Sequence, residues 1–420
     1  MSITRKNKTL KILPIITVLF WVGCEELDIT DPNNPSAETS TVQSLVTGAE
    51  AYLRVDIGVY LRDLLVVGRE AYYFENADPR YTGELMRGPI DPGGFLCNRP
   101  WATNYKVIQN CLLLAESGDD GASGVGKTFH AYALMRVLSL TAENGARLNY
   151  DGDIDVALSS EAEVWTAIEG LLDGGYSDLN SASSFSFTLS SGFDGFDTPA
   201  TFAQFNRALR ARVAVHQSDW ATASTALSNS FLDVSGNFNK GVYHVFSSGA
   251  NDQDNEMYES PYAEVVKLRV HPTYETDADS DSSRYFDKVY NAGSTADYDD
   301  LNSSLMPKIW EGSYDPIPII RNEELILLLA EVDIAGGTTG GLAEINIVRA
   351  WHDLPDAASG GLDQLLHEKR YSLLFEGQRL QDMRHYDMLD ELNDAHLLIN
   401  PDRLDDAIVT FPIPETETPG

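Results

Sequence analysis

Phe205-Asn-Arg-Ala-Leu-Arg-Ala-Arg-Val-Ala-Val-His216 runs through the joint Gln217-Ser-Asp-Trp220 into Ala221-Thr-Ala-Ser-Thr-Ala-Leu227. The apolar residues recur at helical spacing on both sides of the joint, so the stretch reads as two helices, 201–217 and 219–229. Small residues let the helices approach closely, and Ser218 or Asp219 can cap the second. This is an αα-hairpin. The same arrangement recurs for 125–147 with 161–172 and for 321–335 with 341–352, while 41–56, 101–117 and 362–390 read as further helices. The leading helices are unevenly spaced along the chain, which excludes a strict solenoid period. The stretches 57–100, 181–200 and 230–320 are rich in Gly, Pro, Asp, Ser and aromatics, and loops of that length usually carry recognition. The fold expected is mainly α, helix pairs joined by long irregular loops.

The 420 residues carry 30 Lys plus Arg against 64 Asp plus Glu, a formal charge of −34. Such a body repels phosphate backbones and anionic headgroups, so nucleic acid is not an expected partner. With 43% hydrophobic residues the chain is nonetheless a folded protein and not an acidic tail.

Its first 23 residues differ from the rest. Arg5, Lys6, Lys8 and Lys11 precede an apolar run from Ile12 to Val22, interrupted by Pro14 and Thr17. As a helix that run rises only ~16 Å, about half a bilayer core, which fits a signal peptide over 1–23 and not a permanent span. Gly23-Cys24 follows, and a small residue directly before cysteine resembles the lipobox of bacterial lipoproteins, with Trp21 standing where Leu is usual. The resemblance implies acylation of Cys24, palmitate included, and a membrane held by the lipid anchor only. Residues 24–40 are acidic and rich in Pro, Ser, Thr and Asn, the composition of a flexible tether, and 41–420 form the functional domain. Cys97 and Cys111 are expected as buried or free thiols, since the helix beginning near Pro100 would carry Cys111 about 15 Å along its axis and a disulfide needs Cα atoms within ~7 Å.

Several patterns imitate chemistry. Gly121-Ala-Ser-Gly-Val-Gly126-Lys127-Thr128 matches the phosphate-binding loop letter for letter. That motif needs a buried strand before it, whereas here the preceding residues are helical Leu112-Leu-Leu-Ala-Glu and then Ser117-Gly-Asp-Asp. Asp119 and Asp120 would also sit beside the phosphate, so a Gly-rich joint before a helix is expected. Asp151/Asp153/Asp155 and Asp277/Asp279/Asp281 lack the glycine and the closing glutamate of a helix-loop-helix calcium loop and read as solvated acidic loops. The eight histidines show no zinc spacing, and no Gly-x-Ser-x-Gly elbow is present. No catalytic residue, cofactor or metal is expected, and nothing signals an enzyme.

The strongest local pattern is His367-Glu368-Lys-Arg370-Tyr-Ser-Leu-Leu374-Phe-Glu376-Gly377-Gln-Arg379-Leu-Gln-Asp382-Met-Arg384. On one helix, Glu376, Arg379 and Asp382 would form a charge ladder with Gly377 in mid-helix, and a structural ion network is its expected role. The run resembles the signature Glu-x-Arg…Glu-Gly-x-Arg-x-x-Asp-x-Arg of the SusD/RagB family, surface nutrient-binding lipoproteins that partner a TonB-dependent outer-membrane transporter. Leu27-Asp-Ile-Thr-Asp-Pro-Asn-Asn-Pro35 resembles the family's mature start, and Trp101-Ala-Thr-Asn-Tyr-Lys-Val-Ile-Gln-Asn110 its first long helix. Ala203–Trp220, Arg321–Glu331 and Asn346–Ala350 resemble its helix-pair segments, and Phe411-Pro-Ile-Pro-Glu415 its closing Pro-Ile-Pro.

The resemblance spans nearly the whole chain. It implies a SusD-like α-α superhelix of tetratricopeptide-like pairs, loops forming a glycan or peptide site, an outer-membrane location at the cell surface, and delivery of oligosaccharide to a SusC-like transporter. A sugar needs flat aromatic faces rimmed by amide, carboxylate or guanidinium groups. Asp78, Arg80 and Tyr81 lie in the richest such segment, 69–81. Trp101-x-x-Asn104 is similar to an aromatic-plus-amide pair of some starch-binding members, and Trp310 with Tyr314 makes a second aromatic candidate. The alternative is a lipid-anchored helical scaffold that binds a protein or peptide; a secreted hydrolase is the third reading.

Overall fold

The computed structural model describes residues 40–250, 252–263, 265–278, 283–298, 300–337, 339–393 and 410–418. The expected signal peptide, Cys24 and nearly all of the tether lie outside the described residues, as do Asp279 and Asp281.

The chain order is α1 (Val42–Tyr52), α2 (Ile57–Val67), β1 (Ala71–Tyr73), α3 (Arg80–Arg87), α4 (Phe95–Ala115), α5 (Asp120–Thr141), α6 (Glu161–Ser181), α7 (Pro199–His216) and α8 (Trp220–Ser228). Then come β2 (Gly241–His244), β3 (Leu268–Val270), α9 (Thr273–Thr276), α10 (Ser283–Lys288), β4 (Val289–Tyr298), β5 (Leu301–Pro307) and β6 (Ile317–Arg321). The chain closes with α11 (Asn322–Gly336), α12 (Leu342–Trp351), α13 (Leu362–Ser372) and α14 (Arg379–His385). The helices start where their caps dictate. The Ser160 hydroxyl accepts from the Glu163 amide at α6, Thr198 does so from Thr201 at α7 with Pro199 in the first turn, and Asp219 rather than Ser218 caps α8 by accepting from Thr222.

The three expected helix pairs pack as α5 on α6, α7 on α8 and α11 on α12, and α4, α8 and α13 continue the neighbour-on-neighbour order. A core of α1, α4–α8 and α11 forms this scaffold. A second core gathers α2, α3, the short strands, and residues 371–392 with Phe411. Each sheet has two antiparallel strands, β1 with β3, β2 with β6, and β4 with β5.

Four sequence expectations are corrected. The stretch 57–100 is not a loop: it holds α2, in which every residue but Arg62 is buried, so the helix lacks the amphipathic period that betrays a surface helix. α4 begins at Phe95 and carries Pro100 inside it, six residues before the expected start. The phosphate-loop imitation is no joint either. Asp119 caps α5 and residues 120–128 are its first turns, where an added Cβ at Gly124 would lie 2.6 Å from Leu179 Cγ and 3.0 Å from the Gly175 oxygen. An added Cβ at Gly126 would lie 2.8 Å from Leu114 Cβ and 3.0 Å from the Cys111 oxygen of α4, so these glycines serve close packing against α4 and α6 and not phosphate.

Finally, 362–390 is not one helix. Phe375 and Gly377 adopt φ of +68° and +73°, and this turn separates α13 from α14. The charge ladder is therefore absent, but its residues enter a wider ion network. Glu376 accepts from Arg321 at 2.7 Å, Arg321 also pairs with Glu323, and Arg379 donates to the Gly68 oxygen at 2.9 Å. Lys369 bridges Glu331, at 2.9 Å, and Asp382, while Glu368 receives Arg349 at 2.6 Å and Arg284 at 2.7 Å. The network ties β6, α10 and α11 to α13 and α14. Buried pairs of this kind add little over apolar packing, but breaking one strands an uncompensated charge.

Candidate binding cleft

β1 and β3 form a two-stranded ribbon in which Tyr72 faces Arg269 and Tyr73 faces Leu268. The Ser303 hydroxyl donates to the Val270 oxygen at 2.7 Å and fastens β5 to the ribbon. β5 in turn holds β4 with Tyr290 opposite Met306, and the Tyr290 hydroxyl reaches Met306 Sδ at 3.3 Å. Before β3 the chain makes a closed excursion. Glu259 Oε2 accepts from the amides of Lys267 at 2.5 Å and Leu268 at 3.1 Å, pinning its two ends together, and Lys267 pairs with Glu75. A carboxylate spent on two backbone amides is a local staple.

Between this excursion and the β4–β5 hairpin lies a cleft of about 710 Å³. Tyr258, Tyr262, Arg269, Tyr290, Met306 and Trp310 are among the side chains on it, with Glu259, Lys308 and Glu311 as further charges. Tyr262 stands at the rim, 95% exposed. Trp310 is buried beneath, its indole N–H donating to the Pro316 oxygen at 3.3 Å and its ring edge-on to Phe375 at 6.0 Å. Arg269 is only 6% exposed. Its Nε and Nη1 have no hydrogen-bond partner among the described residues, and burial pulls its basicity below the usual arginine range, countered in part by Tyr290 and Glu259. An open cleft of this size with several rings and few fixed charges suits a small polar ligand with apolar faces.

Of the residues named from sequence, only Trp310 borders this cleft. Tyr314 is 48% exposed but does not line it. Trp101 is 6% exposed and stacks on Tyr105 at 4.7 Å. Asn104 is fully buried with its amide donating to the Pro100 oxygen at 2.7 Å, and both border a void of about 10 Å³ beneath Phe411, Pro412 and Pro414. These are core positions. Asp78 and Arg80 form a two-bonded pair at 2.8 and 2.7 Å, and the guanidinium lies 4.4 Å from the Phe95 ring centre. Tyr81 is buried, edge-on to Tyr73 at 4.6 Å and to Phe95 at 5.5 Å. The ring of Tyr81 is thus covered by neighbouring rings, while Arg80 keeps 41% of its side chain exposed.

Tyr258, Tyr262, Arg269 and Tyr290 were not singled out from sequence. Their signal was the density of tyrosine within 230–320, a stretch expected to carry recognition. The Asp151 and Asp153 side chains accept from the amides of Asp153 and Asp155 in successive turns, and Asp277 pairs with Arg370 at 2.8 Å. Cys97 and Cys111 are buried free thiols. Among the described residues no cluster of His, Cys, Asp and Glu suited to a metal occurs, and no helix is long and apolar enough to cross a membrane.

No protein-family model and no curated protein matches the chain in sequence. Solved structures do match. A laminarin-binding SusD-like protein aligns with a TM-score of 0.63 at 14% identity, covering 90% of this chain and 96% of that one. A SusD superfamily protein from Bacteroides vulgatus gives 0.64 at 15% identity over 90% and 96%, and a structure with xylogluco-oligosaccharide gives 0.63 at 14% identity over 85% of each chain. At these identities the likeness establishes architecture.

Proposed function

We propose that this chain, which has the SusD-like fold, is a non-enzymatic binding protein that captures oligosaccharide in the cleft between residues 258–269 and the β4–β5 hairpin. The observation that carries the reading is the set of rings on the 710 Å³ opening, Tyr258, Tyr262 and Tyr290 above buried Trp310. Sugar rings present apolar C–H faces that stack on such surfaces while their hydroxyls seek the polar rim. The laminarin-binding and xylogluco-oligosaccharide structures support glycan as the ligand class.

In this reading Cys24 carries the lipid that moors the protein to the outer membrane at the cell surface, and the captured sugar passes to a TonB-dependent SusC-like transporter. The Gly23-Cys24 pattern and the acidic tether sequence support the anchor. Calorimetric titration of the purified protein against a panel of oligosaccharides tests the binding role. Tyr262→Ala and Tyr290→Ala should each weaken the best ligand about 3- to 10-fold, the worth of one ring contact. Unchanged affinity in both would remove the cleft from the account.

A further inference from the structure

We propose that the sugar taken by this cleft is anionic, carrying a carboxylate or sulfate ester that is received by Arg269. The inference rests on the reading of the cleft as a glycan site and adds the charge of its ligand. Arg269 is 6% exposed, lines the opening, and leaves Nε and Nη1 without hydrogen-bond partners among the described residues. Buried polar groups in native proteins are almost always paired, so Nε and Nη1, both sealed from solvent here, mark an arginine short of acceptors, and an oxyanion entering the opening would have to draw the guanidinium toward it.

Glu259 and Glu311 are the acids on the cleft among the described residues, and Glu259 acts on Arg269 through space, but neither forms an ion pair with it. The Oε2 of Glu259 is spent on the amides of Lys267 and Leu268. The cross-strand partner of Arg269 is Tyr72, and Tyr290 is its other near polar group. A neutral sugar hydroxyl would offer an acceptor but would leave the buried charge without a directly paired anion. An oxyanion offers both, and guanidinium is the side chain whose planar fork matches carboxylate and sulfate. The other cation on the cleft, Lys308, is exposed and donates to the Phe286 oxygen at 2.9 Å, so it adds field without fixing an orientation.

The acidic body does not oppose this. At physiological salt its charges are screened beyond ~8 Å, so they slow the approach of an anion more than they weaken a contact at the guanidinium. Burial holds Arg269 below its usual basicity, but an arginine starts so high that it remains a cation at neutral pH.

The test is calorimetric titration of the purified protein with two matched pairs. One is tetragalacturonate and its carboxyl-reduced counterpart; the other is a sulfated galactan tetrasaccharide and its desulfated form. The wild type should prefer the charged member of at least one pair by about tenfold or more, the size of a charge-assisted contact, and which pair responds identifies the oxyanion. In Arg269→Met the affinity for that charged member should fall by about ten times the factor seen for its neutral partner. Arg269→Lys should fall between, since it keeps the charge and loses the fork. Far-UV circular dichroism confirms the fold of each variant.

Equal or tighter binding of the neutral members by the wild type overturns the proposal, and this needs no variant. So does a preference for charge that survives Arg269→Met. If the neutral sugars bind and Tyr262→Ala weakens them while charge counts for nothing, the glycan cleft stands and only its anionic ligand falls. If none of the four sugars binds, the proposal falls with the reading beneath it.

Discussion

Arg212 on α7 and Glu324 on α11 face each other through two parallel bonds, Nε to Oε1 at 2.6 Å and Nη2 to Oε2 at 2.7 Å, both side chains buried. Arg212 also donates to the Ile319 oxygen at 2.8 Å, so one guanidinium clamps the helical scaffold to the strand that leads out of the cleft region. Glu324→Ala leaves that cation buried without a partner and should cost about 3–5 kcal/mol in urea unfolding. Replacing both partners by apolar residues of similar volume should recover most of the loss. A cost under about 1 kcal/mol for the single substitution would mean that the pair is solvated.

Glu70 makes stability depend on pH. Burial pushes its carboxyl from 4.5 up to about 7, opposed by the Phe375 amide it accepts at 2.9 Å and by Arg379 and Arg370, with Glu376 acting in the same sense as burial. A carboxyl raised in the folded state favours folding fully below its unfolded value, and that contribution fades as pH rises through the folded one. Relative to Glu70→Gln, the wild type should therefore lose on the order of 3 kcal/mol between pH 4.5 and 7. Parallel stability profiles for the two proteins would contradict this.

Two helical glycines should respond to alanine with opposite signs. Gly170 in α6 has nothing within 4 Å of an added Cβ, whereas at Gly124 in α5 that atom would meet Leu179 at 2.6 Å. Gly170→Ala should stabilise by up to about 1 kcal/mol through helix propensity. Gly124→Ala should destabilise by about 1–3 kcal/mol because the helix contact must open. Thermal unfolding reads both signs, and a stabilising Gly124→Ala would refute the packing role given to the phosphate-loop imitation.

The anchor assigned to Cys24 predicts where the protein is found. Cys24→Ala, which removes the acylation site, should move it from the membrane fraction to the soluble fraction after cell lysis. Retention of the variant on membranes would require a different attachment.

The sequence spoke clearly where local chemistry decides structure. Asp219, one of the two cap candidates, starts α8, and the three helix pairs follow from apolar period, small residues and the joints between them. It was silent at α2, where burial on nearly every face erases the period, and misleading at 362–390, where Phe375 and Gly377 interrupt a pattern that stays helical in its letters. The cleft was legible only as a region. Trp310 and the stretch 230–320 pointed to it, but the meeting of Tyr262, Arg269 and Tyr290 depends on the pairings of β1 with β3 and β4 with β5. Those are contacts between residues distant in sequence. Trp101 and Asn104 carry a recognition pattern in their letters, yet the segment from Phe411 to Pro414 covers them.

Amide hydrogen exchange with and without a saturating oligosaccharide from the titration panel measures the central claim most directly, because it maps the bound sugar without altering the protein. The account predicts protection confined to residues 258–269 and 289–311, with 78–104 unchanged. Protection centred on 78–104, or none in the 258–311 region at saturation, would contradict it.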